Sequence, residues 1–283
     1  VSGVSDLRGR ADRWAVRWGV DAVGVSPARG APAVRTLRVG LYKPWTASMD
    51  EGWTRWVFEQ WGVPFDTLHD AAIRRGGLGR RFDAIVVPSV AYRELMQGAR
   101  RAHPDYAGGL GQEGVAALRE FVRGGGTLVL LDAAVELGIR ELGVPVRDVL
   151  ADQDRSDPKR WYVPGSILRV QWDPGHPLAY GMPAESGVYY ARSEPRGEGG
   201  QASGGPVLEV LPGAQGVRVV ARYPERNILL SGFSQGEDRV AGKAALVEAQ
   251  VGRGRVVMFG FRPQHRAQPH ETFKVLFNAL YRR

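Results

Sequence analysis

The chain predicts an α/β fold: a mostly parallel sheet flanked by helices, followed by a strand-rich C-terminal part. Three observations carry this. Continuous apolar runs at residues 82–88 and 127–132 read as strands buried on both faces. Helical apolar spacing recurs between such runs, at 50–61 and 111–123. The early order of elements, β-α-β-β-α-β-α, is that of a parallel sheet with helices on both sides.

Residues 1–35 read as a lead-in and linker, ending in the Pro/Gly/Ala-rich stretch 26–32. Trp14 and Trp18 lie four apart, on one face of a short helix docked on the body. The main domain spans 36–283 and opens with a strand at 37–42 and a loop at 43–48. Ser48 or Asp50 can cap the helix at 50–61, whose apolar face carries Trp53, Trp56, Val57, Phe58 and Trp61 before Gly62 ends it. Residues 64–68 form a second strand and 82–88 a third. The helix at 111–123 points Val115, Leu118, Phe121 and Val122 inward and stops at Gly124-Gly125-Gly126; the strand 127–132 and a helix at 133–142 follow.

The stretch at about 151–215 is rich in Gly and Pro and reads as an irregular excursion, with short extended pieces such as 167–172 and a flexible loop at 197–205. Strands are predicted at 217–221, 227–231, 244–250 and 255–261, with Gly252-Arg253-Gly254 as a hairpin turn. An amphipathic helix at 271–281 closes the chain.

The formal charge is +8, but the basic residues are interspersed with acids and form no arginine-rich helix, which argues against a nucleic-acid partner. With no cysteine there is no disulfide, thiolate metal site or cysteine nucleophile. No apolar run is long enough for a membrane span. The N-terminus carries no signal-peptide pattern, and Val1 reads as the middle of a longer chain.

Four groups of residues are candidates for chemistry. Gly232-Phe233-Ser234-Gln235-Gly236 matches the G-x-S-x-G elbow, which would make Ser234 an alternative nucleophile of an esterase or amidase. The sequence after it is a poor helix start, and neither His265 nor His270 has a well-placed acid, so a turn between strands is the preferred reading. Asp132, at the end of the strand 127–132, is a helix cap or a site residue. His265, Arg266, His270 and Glu271 cluster after the last strand, but no zinc-binding spacing occurs, so no metal is assigned. Trp45, Asp50, Glu51 and Trp53 follow the first strand; the carboxylates suit a helix N-terminus, and the tryptophans either line a pocket or pack. A ligand would sit where these loops meet, with Trp45 and Trp53 for apolar contact and Arg262, His265 and Arg266 for a carboxylate or peptide C-terminus.

The runs Leu41-Tyr42-Lys43-Pro44-Trp45-Thr46-Ala47-Ser48-Met49-Asp50-Glu51-Gly52-Trp53-Thr54-Arg55-Trp56 and Gly260-Phe261-Arg262-Pro263-Gln264-His265-Arg266-Ala267-Gln268 resemble the C-terminal region of large bacterial zinc-carboxypeptidase-like proteins. So do residues 82–88 and 176–183. In that family a metallocarboxypeptidase domain is followed by a domain similar to class I glutamine amidotransferases, a flavodoxin-like α/β fold. The resemblance implies a non-catalytic accessory domain whose partner is the preceding peptidase domain of the same polypeptide, at a periplasmic or extracellular location. Zinc would belong to that parent domain; the present chain would carry no cofactor. The amidotransferase cysteine would stand at the strand-to-helix turn occupied here by Leu131-Asp132-Ala133-Ala134, so no glutaminase thioester can form. A stand-alone peptide- or sugar-binding domain is the remaining alternative.

Overall fold

In the computed structural model the described residues are 5–19, 21, 23–24, 36–98, 107–154, 156–192 and 204–281. The chain divides into two compact units, Val1–Thr36 and Leu37–Arg283. The first contains helix α1 (Leu7–Trp18), started by the Asp6 side chain accepting from the Gly9 amide. Trp14 is largely exposed. The Trp18 side chain, the stretch 26–32 and most of the loop expected at 197–205 lie outside the described residues.

The second unit begins with β1 (Val39–Tyr42), α2 (Met49–Gln60), β2 (Phe65–Leu68), α3 (Asp70–Arg74), α4 (Leu78–Arg81), β3 (Ala84–Val87) and α5 (Tyr92–Gln97). Next come α6 (Gly111–Arg123), β4 (Thr127–Leu131), α7 (Val135–Arg140), β5 (Val146–Asp148), β6 (Val163–Trp172), β7 (Glu185–Arg192), β8 (Leu208–Val210) and β9 (Val217–Arg222). The unit ends with β10 (Leu229–Ser231), β11 (Ala244–Val251), β12 (Gly254–Phe259) and α8 (His270–Tyr281).

Strands β2, β1, β3, β4 and β12 lie side by side in that order, each parallel to its neighbour. This is the parallel sheet that the apolar runs predict. From β12 onward the sheet turns antiparallel: β11 pairs with β12 and β9, and β6 with β9, β7 and β10. The β11–β12 turn is Gly252-Arg253, with Gly252 at φ 60°, a left-handed conformation that glycine adopts without Cβ conflict.

Alternation along the parallel strands builds two cores. Val39, Leu41, Val86, Val129, Leu131, Val257 and Phe259 face one side, under Val57 and Phe58 of α2 and Phe273, Leu276 and Leu280 of α8. Ile85, Val87, Leu128, Leu130, Val256 and Met258 face the other, under Val115, Leu118, Phe121 and Val122 of α6 and Val135 and Leu137 of α7. At about 1.5–3 kcal/mol for each large apolar side chain buried, these two layers dominate the favourable side of folding.

The region from 151 to 215 is more ordered than its composition suggests. It supplies the ten-residue β6 and the eight-residue β7, paired in the same sheet. Along β6, Val163, Ser166, Leu168, Val170 and Trp172 are buried and alternate with more exposed residues, which is period-two patterning interrupted by Pro164 and Gly165.

Candidate functional site

The loops after β1, β3, β4 and β12 emerge at the carboxyl edge of the parallel strands, where α/β sheets gather their functional groups. Asp132 stands at the centre. It is the first residue after β4, fully buried, with φ at 52°, a left-handed backbone uncommon for a non-glycine residue. A short 3-10 turn and α7 follow, so Asp132 occupies the strained strand-to-helix elbow in which hydrolases hold a nucleophile.

Its carboxylate is held by two other loops. Ser89, just after β3, donates its hydroxyl to Asp132 Oδ2 at 2.7 Å. Arg262, after β12, donates Nε–H to the same oxygen at 2.9 Å and lies 3.5 Å from Asp50 Oδ1 in the first turn of α2. Asp132 Oδ1 is buried without a hydrogen-bond partner. Close backbone packing closes the elbow from above: a Cβ on Gly205 would lie 2.3 Å from the Gly260 carbonyl oxygen and 3.1 Å from Asp132 Oδ1.

Burial pushes the Asp50 carboxyl up to about 6; Arg262 opposes the rise and Asp132 adds to it. Burial works to lower the Arg262 guanidinium, but the Asp132 and Asp50 carboxylates outweigh it and raise its pKa. His265 lies flat against Tyr189 of β7, ring centroids 3.4 Å apart. Burial, with Arg262 and Arg266 beside it, pushes its imidazole down to about 4.

The other expected residues lie elsewhere. Trp45 stacks on His69 after β2, centroids 3.8 Å apart. Glu51 is buried in an ion pair with Arg55, which also reaches Thr67 of β2. Trp53 packs edge-on against Trp56. Arg266 is exposed, and His270 contacts Trp61 and Phe273. The site therefore contracts to Asp50, Ser89, Asp132, Arg262 and His265. Of the groups expected to meet a carboxylate or peptide C-terminus, Arg262 is already paired with Asp132 and Asp50. Ser89 escaped the sequence reading; its signal was its place at the carboxyl end of the apolar run 82–88.

Ser234 lies between β10 and a 3-10 turn at Glu237–Arg239, not between a strand and an α-helix. Its hydroxyl donates to the Glu237 carboxylate, and among the described residues no histidine hydrogen-bonds it. A cavity of about 270 Å³ lined by Gln171, Trp172, Asp173, Val219 and Arg222 shares no residue with the elbow. Among the described residues no group of three His, Asp or Glu side chains could hold a metal ion, and no helix is long and apolar enough to cross a membrane.

No family model and no curated protein sequence matches the chain. Solved structures do. A cytoplasmic protein of Salmonella typhimurium is 11% identical, with a TM-score of 0.51 over 87% of this chain and 99% of that one. The likeness is one of fold. A ThuA-like protein from Bacteroides uniformis is 10% identical, with a TM-score of 0.46 over 90% of this chain and 94% of that one. A GMP synthase component from Thermoplasma acidophilum is 10% identical, with a TM-score of 0.48 over 87% and 93%. No zinc carboxypeptidase is among these three.

Proposed function

We propose that the chain is a non-catalytic accessory domain in which the elbow of a glutamine-amidotransferase-like fold holds a structural ion pair instead of a nucleophile. The observation that supports this is Asp132: it occupies the left-handed elbow, fully buried, with Oδ2 bound by Ser89 and Arg262. A carboxylate there cannot form the thioester of a glutaminase. The neighbouring imidazole of His265 is committed to stacking on Tyr189.

The parent is a zinc-carboxypeptidase-like peptidase at a periplasmic or extracellular location. This part rests on the sequence resemblance at residues 41–56 and 260–268. The zinc, and its activation of water for hydrolysis of a C-terminal residue, would belong to the preceding domain.

The test is direct. Purified chain is expected to release no ammonia from glutamine and to cleave no C-terminal residue from peptides, with or without zinc. A fluorophosphonate probe is expected to leave Ser234 unlabelled. Turnover abolished by Asp132→Asn, or labelling abolished by Ser234→Ala, would overturn the non-catalytic reading. A parent gene encoding no metallocarboxypeptidase domain upstream would overturn the peptidase context alone.

A further inference from the structure

Strands β6 and β9 pair only at Gln171, opposite Arg222, and at Trp172, opposite Ala221. At Asp173 the chain leaves the sheet: its Oδ1 accepts from the Gly175 amide at 2.9 Å in an Asp-Pro-Gly turn, while β9 extends on to Val217 beside β11. The cavity of about 270 Å³ lies where the two strands part. Trp172, Val220 and Ala221 belong to the core on the α2 and α8 side. The side chains left to face the cavity are Gln171, Asp173, Val219 and Arg222.

The charges around this opening are unequally satisfied. Asp173 gives Oδ1 to Gly175 and Oδ2 to Arg218, 3.4 Å away. Glu185, opposite Gln171 on β7, accepts from Arg169 Nη1 at 3.1 Å and from Gln171 Nε2 at 2.9 Å. The Arg222 side chain is exposed and has no ion pair or hydrogen bond among the described residues. It is therefore the one cavity-lining charge left without a counterion.

We propose that this cavity binds a small aliphatic monocarboxylate, its head on Arg222 and its chain against Val219. A guanidinium presents paired N–H donors that match the two oxygens of a carboxylate. A single unpaired cation compensates a single negative charge. Asp173 in the wall and Glu185 one strand away disfavour a second, which argues against a dianion such as hydrogen phosphate. Val219 is half-buried at the rim of the α6 and α7 core and offers apolar contact. The volume lies at the small end of ligand pockets, roughly 300–1,000 Å³, which limits the chain to a few carbons. The site shares no residue with the elbow, so it stands whether or not the accessory reading holds.

Titration of the intact chain with sodium butyrate, in buffer free of other carboxylates and of phosphate, tests the site by the amide NMR signals of residues 171–173 and 219–222. Saturable shifts with a Kd on the order of 1–10 mM are expected for so small a ligand. Butyramide, which keeps the shape and lacks the charge, and inorganic phosphate should each bind at least about tenfold more weakly. Arg222→Gln, at an exposed position, should weaken butyrate by a similar factor and leave the thermal midpoint near that of wild type. Shifts that do not saturate by about 100 mM butyrate, or that saturate only elsewhere in the chain, overturn the proposal. So does butyramide or phosphate binding as tightly as butyrate, which needs no variant to measure, or butyrate affinity within about threefold of wild type in Arg222→Gln.

Discussion

Arg262→Ala probes how far the elbow depends on its ion pair. The substitution removes a guanidinium that is 8% exposed and leaves the fully buried Asp132 with only the Ser89 hydroxyl, beside a mostly buried Asp50. Removing one partner of a buried pair costs about 3–5 kcal/mol, because the remaining charge is uncompensated. For a unit of this size about 2–4 °C of melting temperature accompanies each kcal/mol, so a fall of roughly 6–20 °C is expected. Urea and thermal unfolding at pH 7.5 measure it. Adding Asp132→Asn, which keeps a side chain tolerant of the left-handed backbone, should recover at least about 1 kcal/mol of the loss, because the orphaned charge is gone. A melting temperature within about 2 °C of wild type, or strict additivity of the two substitutions, would refute the assignment of a buried, coupled pair.

Three further outcomes are expected. Asp50→Asn should stabilise the protein at pH 7.5 by up to about 3 kcal/mol, the shift from 3.8 to about 6 converted at ~1.36 kcal/mol per unit, and the gain should vanish below pH 4 in denaturant unfolding. Ser234→Ala removes a half-buried hydroxyl bound to Glu237 and should change unfolding free energy by no more than about 1.5 kcal/mol. Gly252→Val puts a branched side chain at φ 60°, where its Cβ would lie 2.9 Å from Arg123 Cα; a loss of about 1–3 kcal/mol in urea unfolding is expected.

The parallel half of the sheet was legible in the sequence because its strands are buried on both faces. Runs such as Ala84–Val87 and Thr127–Leu131 therefore contain no polar residue to break the signal except the leading Thr127. The C-terminal part of β6, at 167–172, was legible as an extended piece; its start was obscured by Pro164 and Gly165, and α3 and α4 by their shortness around Gly76-Gly77. The elbow position of Asp132 followed from strand-then-helix order. Its pairing with Arg262, 130 residues away, did not: it depends on the β4–β12 register, which places Phe259 beside Leu131. Trp45 and Glu51 were misplaced because sequence proximity to Asp50 does not say which way side chains at the start of α2 point. Both turn toward β2, to His69 and Arg55–Thr67.

The left-handed backbone at residue 132 has a consequence for redesign. On the non-catalytic reading proposed above, this conformation serves packing and not chemistry, with the close Gly205–Gly260 approach lying beside Asp132. The geometry is thus separable from its occupant, and Asp132→Cys would graft a thiol onto a ready-made elbow beside Arg262. A neighbouring guanidinium stabilises thiolate over thiol, so the grafted sulfur should titrate below the ordinary cysteine value of about 8.5. Ultraviolet thiolate absorbance against pH would measure this in a chain with no other cysteine to obscure it. A midpoint at or above that value would show that the sulfur is shielded from Arg262 or held in apolar packing.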